Sequence, residues 1–227
     1  MQIVILCGGL ATRLYPQTLK IPKSLMLINN KPFIYWQLMQ LKNQNIKNII
    51  LCLGKYSEQI IEYLQLNSNF GLKIKYSVEN EKLGTGGAIS NTYSRLENYF
   101  GILYGDCFLD INYKKLKKHY KRKNKLGLMT IYKNNGLYDK SNIVCKNKKI
   151  IKYDKEFMDP EMKYIDYGFG ILNKELFKRK SGNFDLSIIY QDLIRRDELA
   201  NYRVKKRFYE IGSFQGIKET EEFLKEI

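Results

Sequence analysis

The sequence predicts an α/β fold: a doubly wound, mostly parallel sheet from the first half of the chain, with strands added by the second half. Three observations predict it. QIVILC (2–7), NIILCLG (48–54) and FGILYGD (100–106) are short apolar runs with the continuity of strands buried on both faces. Segments with helical spacing lie between them. Hydrophobic residues make up 44% of the chain and aromatics 13%, enough for a sizeable core and too much for a disordered polymer.

In chain order, the strand at 2–7 is followed by KPFIYWQLMQLKNQ (31–44), a helix with Pro32 at its first position, where a missing N–H costs nothing. The strand at 48–54 precedes the helix EQIIEYLQL (58–66). LKIKYSVE (72–79) alternates as a third strand, and GTGGAISNTYSRLE (84–97) reads as a helix with Thr85 near its cap. The strand at 100–106 ends in Gly105-Asp106 and leads into the helix INYKKLKKHYKRK (111–123), whose start Asp110 is placed to support. This βαβαβαβα order calls for right-handed crossovers. GLMTIYK (127–133), NIVCKNKKIIKYD (142–154) and KYIDYGFGILN (163–173) are strand-like, and helical segments follow near 184–195 and 214–226. The added strands are expected to lengthen the sheet and form a lid or side sheet. No linker, low-complexity tract or solenoid repeat divides residues 1–227, so one domain is the simplest organisation.

Composition narrows the functions. The formal charge is +16, and the densest run, KKLKKHYKRKNK (114–125), raises nucleic acid as a partner. That run is better read as the solvated face of an amphipathic helix with Leu116 and Tyr120 inward, because base-stacking aromatics are not interleaved with the charges. A general richness in Lys, Asn and Ile contributes to the charge as well. Cys7, Cys52, Cys107 and Cys145 are scattered without metal or redox spacing. MQIVILCGG lacks the basic start of a targeting segment, and no run is long enough to cross a bilayer. A cytoplasmic protein is expected, with no membrane and no nucleic acid as partner; a homo-oligomer is compatible with the sequence and not required by it.

Ligands of such sheets bind outside the carboxyl ends of the strands. There stands CGGLATRLYPQTLKIPK (7–23). Gly8 and Gly9 let backbone N–H groups approach a ligand and form an anion nest, and Arg13 and Lys23 add fixed positive charge. A nest with Arg and Lys suits a polyphosphate. The order departs from GxxxxGK[ST] and from GxGxxG, since Pro16 and Pro22 make a long irregular loop.

The whole string resembles the signature of the sugar-1-phosphate nucleotidyltransferases, the nucleoside-diphosphate-sugar pyrophosphorylases. Gly8, Gly9, Thr12, Arg13, Pro22 and Lys23 match that pattern, while Ala11 stands where the family usually has Gly. ENEKLGTGGAI (79–89) resembles the nucleobase-binding turn and nominates Glu79, Gly84, Thr85 and Gly86. YGDCFLDI (104–111) resembles the family's metal motif, with Asp106 as the Mg²⁺ ligand. KYDK (152–155) falls where an acid-Lys pair holds the sugar, giving Asp154 and Lys155, and YIDYGFGIL (164–172) resembles the segment closing over the sugar, giving Asp166 and Gly168. FYEIGS (208–213) resembles the segment with the second metal carboxylate, here Glu210 where many members have Asp.

The resemblance runs in order from residue 6 to residue 216. It implies a Rossmann-like three-layer nucleotidyltransferase fold with a mostly parallel central sheet and a smaller added sheet. It also implies attack of a sugar 1-phosphate on the α-phosphorus of a nucleoside triphosphate, with Mg²⁺ as cofactor. LGTGGAI and YIDYG look most like the short bacterial guanylyltransferases for heptose or mannose 1-phosphate, which suggests GTP; CTP or UTP and another phosphorylated acceptor stay open. The nucleophile is already an anion, so no general base is needed, and His119, the sole histidine, is read as a surface residue. Three other readings stay open: a glycosyltransferase, for which GDCFLD replaces the expected DxD; a non-catalytic nucleotide-binding homologue, for which Ala11 and Glu210 would speak; and a nucleic-acid-binding module.

Overall fold

The protein is described here by a computed structural model that covers residues 1–9, 14–16, 19–157 and 159–226. The first half contains β1 (Ile3–Cys7), β2 (Leu27–Ile28), β3 (Lys31–Pro32), α1 (Phe33–Asn43), β4 (Asn48–Leu53), α2 (Ser57–Leu66), β5 (Lys73–Val78), α3 (Gly84–Ser90), β6 (Tyr99–Tyr104), β7 (Cys107–Leu109) and α4 (Tyr113–Lys123). The second contains β8 (Gly127–Lys133), β9 (Ile143–Lys146), β10 (Lys149–Tyr153), β11 (Tyr164–Asn173), α5 (Ser187–Arg195), β12 (Leu199–Val204), β13 (Phe208–Glu210) and α6 (Phe214–Leu224). Two compact units result. The N-terminal unit is Gln2–Lys82, Leu103–Phe108 and Phe208–Ile227; the second unit is Met1, Leu83–Ile102 and Leu109–Arg207.

In the N-terminal unit, β1 pairs parallel with β4, Ile3 opposite Ile49 and Cys7 opposite Leu53. β4 continues parallel to β5, Asn48 opposite Lys73 and Leu53 opposite Val78. Ile3, Val4, Ile5, Ile50, Leu51 and Leu53 are fully buried, as continuous apolar runs require. The helix α1 buries Phe33, Ile34, Gln37, Leu38 and Leu41, a 3.6-residue stripe. Pro32 is the residue before the helix, not its first position: its ψ of 141° is extended and it pairs in β3 with Leu27. The short strands β7 and β13 form a separate pair. Behind them Ile28, Phe33, Phe108, Ile211 and Leu224 make a small core, closed by Tyr209 stacked on Phe223 at 4.0 Å.

In the second unit, β8 lies between β11, antiparallel, and β12, parallel. β11 shifts register between Asp166 and Gly170. The strand-like run at 142–154 folds back as the hairpin β9–β10, because Asn147 and Lys148 adopt positive φ of 48° and 62°. The helix expected to run to 97 ends at Ser90, where the buried Thr92 hydroxyl donates to Ile89 O at 2.7 Å. In α4 the inward residues are Tyr113, Leu116 and Tyr120, and Asn112 caps it by accepting from Lys115 N at 2.9 Å. Asp110 does not support that start; it pairs with Lys206. His119 packs edge-on against Tyr202, centroids 5.1 Å apart, so it is half-buried and not a bare surface residue. Among the described residues no helix is long and apolar enough to cross a membrane.

Candidate active site

The carboxyl ends of β1, β4 and β5 and the turn after β6 gather at one edge of the N-terminal unit. A Cβ on Gly8 would stand 2.7 Å from Glu79 Oε1, and one on Gly54 would stand 2.9 Å from Gly8 O. At Gly54 the obstacle is backbone, so only glycine fits there, while at Gly8 it is the movable end of the Glu79 side chain, which packs against the Gly8 backbone. Gly9 is exposed, with no atom of the described residues within 4 Å of where a Cβ would stand. Leu10, Ala11, Thr12 and Arg13 lie outside the described residues, and with them three of the expected phosphate-loop residues.

The far side of the loop is anchored from α2. The Tyr56 hydroxyl donates to Leu19 O, and Gln59 Nε2 donates to Lys20 O at 3.0 Å. A 3-10 turn follows at Lys23–Leu25, its entry set by the extended Pro22. The turn aims Lys23 at the Gly105-Asp106 corner: Lys23 Nζ donates to Asp106 Oδ2 at 2.9 Å. The Lys23 side chain is 15% exposed and that of Asp106 is 42% exposed. Burial disfavours the charged form of Asp106, but the Lys23 ammonium and its hydrogen bond outweigh it, and the carboxyl stays below its ordinary range. Cys107 Sγ contacts Asp106 Oδ1 at 3.3 Å. Burial, with Asp106 adding to it, pushes the Cys7 thiol up to about 12.

The corner itself is fixed from two sides. Gly105 N donates to Leu6 O at 3.0 Å, and a Cβ on Gly105 would stand 2.6 Å from that oxygen. Opposite, buried Gln37 uses one nitrogen twice: Nε2 donates to Tyr104 O at 3.0 Å and to Cys107 O at 2.8 Å. Gln37 belongs to no motif of the sequence. Its signal was there, a polar residue on the apolar stripe of α1.

Glu210 ends β13, and Ile211 N donates to Asp106 O at 3.0 Å, so the two acids sit on neighbouring segments. Both Glu210 oxygens are engaged: Oε2 accepts from Gly212 N, and Oε1 accepts from Ser213 Oγ at 2.6 Å. Ser213 in turn caps α6, accepting from Gly216 N at 2.9 Å. Lys23 reaches this side too. A Cβ on Gly212 would lie 3.1 Å from Lys23 Nζ and 2.6 Å from Glu210 Oε2. The ammonium thus sits with one acid hydrogen-bonded to it and the other close by.

The second unit carries the remaining candidates. The N-terminus of α3 is knotted to residues 183–186: Gly86 N and Gly87 N donate to Phe184 O at 2.9 and 3.2 Å. The Thr85 hydroxyl donates to Asp185 Oδ2 at 2.9 Å and accepts from Leu186 N at 2.8 Å. Gly84 has a φ of +70°, and Gly86 leaves room for the Phe184 ring. Thr85 and Gly86 therefore serve internal contacts here. Asp185, which the sequence reading passed over, joins this knot to the sugar-side candidates, because its Oδ1 accepts from Lys155 Nζ at 3.1 Å and from Ser187 N at 2.8 Å. Burial opposes ionisation of Asp185, yet the Ser187 hydrogen bond and Lys155 bring its carboxyl down to about 2.

Asp154 is spent locally, its Oδ1 accepting from Glu156 N and Phe157 N at 2.9 and 3.0 Å. Asp166 accepts from Gly168 N at 3.0 Å and from the Tyr153 hydroxyl at 3.1 Å. Burial raises the Asp166 carboxyl above its ordinary value. Gly168, with φ of +100°, holds a conformation that side chains rarely adopt. The structure thus groups Lys155 with Asp185 and Thr85, and Asp166 with Gly168 and Tyr153.

A family model described as nucleotidyl transferase matches residues 2–137 of the chain. The chain belongs to the nucleotidyl transferase family. This nucleotidyl transferase is similar to a D-glycero-alpha-D-manno-heptose 1-phosphate guanylyltransferase from Aneurinibacillus thermoaerophilus, 30% identical over 92% of this chain and 88% of that protein. A Campylobacter jejuni protein of the same description is 48% identical, over 52% of each chain. Among solved structures, HddC from Yersinia pseudotuberculosis complexed with GMP-PN is 26% identical with a TM-score of 0.81, covering 98% of this chain and 99% of that one. The α/β fold expected from the sequence is thus the fold of known family members.

Proposed function

We propose that this nucleotidyl transferase moves a guanylyl group from GTP to the 1-phosphate of a heptose- or mannose-type sugar, releasing pyrophosphate. The carrying observation is the edge where Gly8 and Gly9, Lys23 and Asp106 meet, with Glu210 on the adjoining segment. The guanylyltransferase relatives and the GMP-PN complex of HddC support the choice of base and acceptor.

The physical task is to join two anions. At 4 Å two unit charges repel by about 4 kcal/mol at an effective dielectric near 20. Lys23 and the Gly8–Gly9 backbone offset this, and Arg13 is assigned to the same task from the sequence motif. The attacking phosphate oxygen is already ionised, so no side chain has to take a proton. In the second unit, Lys155 and Asp166 are the groups we assign to the sugar phosphate and its hydroxyls.

The donor set fits Mg²⁺. Asp106 and Glu210 are hard oxygen ligands, and Asp106 is accessible. Mg²⁺ takes one or two carboxylates and completes its shell with phosphate and water. When bound, Mg²⁺ neutralises phosphate charge and stabilises the leaving pyrophosphate. Asp106 and Glu210 would hold it, and Gly212 N–H and the Ser213 hydroxyl keep the Glu210 carboxylate oriented.

The test is a panel of GTP, ATP, CTP, UTP and dTTP against heptose, mannose and glucose 1-phosphates with Mg²⁺, reading pyrophosphate. GTP with a heptose or mannose 1-phosphate should be fastest, and Asp106→Asn should abolish release. Release with no pair would overturn the enzymatic reading; preference for another base would overturn the guanylyl assignment.

A further inference from the structure

We infer that Gln37 is a positioning residue for the metal site: its amide sets the geometry of the turn that carries Asp106, and it is kept for that purpose at the expense of core packing. This rests on the reading of Asp106 as a metal ligand.

Gln37 lies on the buried stripe of α1 and is 1% exposed, among Phe33, Ile34, Leu38 and Leu41. Its Nε2 holds Tyr104 O and Cys107 O, the carbonyls on either side of Gly105-Asp106. One amide nitrogen therefore staples both ends of the two-residue corner. The other end of the amide is orphaned, because Gln37 Oε1 is buried and has no hydrogen-bond partner among the described residues. A buried acceptor left unpaired is destabilising, and an apolar side chain of the same volume would remove it. That residue would also remove both hydrogen bonds that hold the corner. The orphan is an unfavourable feature whose counterpart is the stapled turn, and the turn's exposed product is the Asp106 carboxylate. A ligand carboxylate displaced by about 1 Å loses its metal geometry, which is why such sites depend on their supporting hydrogen bonds. A side chain that only fills space would satisfy its own polar atoms or carry none.

The experiment uses the full chain with Gln37→Met, which keeps length and volume and removes the donors, and Leu38→Met as a packing control on the same helix. Mn²⁺ affinity is read by electron paramagnetic resonance titration, GTP affinity without metal by calorimetry, and the Mg²⁺ dependence of pyrophosphate release by steady-state kinetics. Gln37→Met should weaken Mn²⁺ binding about tenfold, leave metal-free GTP affinity unchanged, and recover most of kcat at saturating Mg²⁺. Leu38→Met should leave Mn²⁺ affinity unchanged.

Equal Mn²⁺ affinity in Gln37→Met and wild type, or an equal loss in both variants, would overturn the inference. If Gln37→Met does not fold, Gln37→Asn, which keeps the amide but not its reach, should show the same loss of Mn²⁺ affinity. If neither folds, Gln37 is a core residue and the positioning role falls. Asp106→Asn separates the two levels: if it leaves wild-type Mn²⁺ binding intact, the metal assignment has failed; if it abolishes binding while Gln37→Met does not weaken it, only the present inference has failed.

Discussion

Replacing Lys23 by Met should move two properties of the site in opposite directions. The ammonium stands 2.9 Å from Asp106 Oδ2 and beside the Gly212 corner that also holds Glu210 Oε2. It therefore lies among the acids that a divalent cation would use. Unit charges at 4 Å interact by about 4 kcal/mol at a dielectric near 20. With the Asp106 side chain 42% exposed, solvent screening reduces the net pair to about 1 kcal/mol. In the absence of nucleotide, Lys23 competes with the metal by that amount, so Lys23→Met should bind Mn²⁺ about fivefold more tightly. With GTP and sugar 1-phosphate present, the same side chain is needed against phosphate charge, and turnover should fall about 10²- to 10³-fold. The assays are a Mn²⁺ titration by electron paramagnetic resonance on the protein alone, and pyrophosphate release at saturating Mg²⁺. Unchanged or weaker Mn²⁺ binding in the variant would refute the idea that the ammonium and the cation contend for one place.

Gly105→Ala would set a Cβ 2.6 Å from Leu6 O, a backbone atom that cannot rotate away. Overpacking of this kind costs about 1–3 kcal/mol; the melting temperature should drop and pyrophosphate release should fall with it, and a variant as stable as wild type would contradict the geometry. Asp185→Asn should weaken the knot with Thr85, Lys155 and Ser187. The folded-state carboxyl sits at about 2, below its ordinary value of 3.8, so its contribution is full at neutral pH and is lost as pH falls through 4 toward 2. With Asp185 44% exposed, that contribution is about 1 kcal/mol after screening. The stability gap between wild type and variant, measured by urea denaturation, should narrow across that acid range; a gap independent of pH would count against the ion pair. Glu210→Asp shortens the side chain by one methylene and should lose the Ser213 hydroxyl contact, lowering stability by about 1 kcal/mol. A melting temperature equal to wild type would show that Glu210 does not brace the start of α6.

The strands and helices that bear the site were legible because hydrophobic continuity and period are local properties of a sequence. Ile3–Cys7, Asn48–Leu53 and Tyr99–Tyr104 are apolar enough that nothing but burial suits them. The departures come where a short-range choice overrides the period. Asn147-Lys148 turns the strand-like run at 142–154 into a hairpin, and α3 ends at Ser90, where both the N–H and the hydroxyl of Thr92 donate to Ile89 O. Neither depends on hydrophobicity, so neither leaves a periodic trace. The strands β7, β12 and β13 were unmarked for a different reason: three or six residues of mixed character become strands only when a partner edge is presented to them.

The site divides along the same line. Gly8, Lys23 and Asp106 are visible because their chemistry demands particular residue types at the ends of recognisable strands. What the sequence could not reveal is how the resting protein disposes of that chemistry. Asp106 is satisfied by Lys23 and Thr85 by Asp185, each from far along the chain, while Glu210 is satisfied within its own turn by Gly212 and Ser213. Acids in a partly buried corner cannot be left bare, since an unpaired charge there is costly. The protein therefore meets them with its own cations and hydroxyls. On the proposed function, cation binding at Asp106 is then an exchange of partners, its affinity set by the difference between what the cation offers and what Lys23 already supplies, while Ser213 stays to orient Glu210.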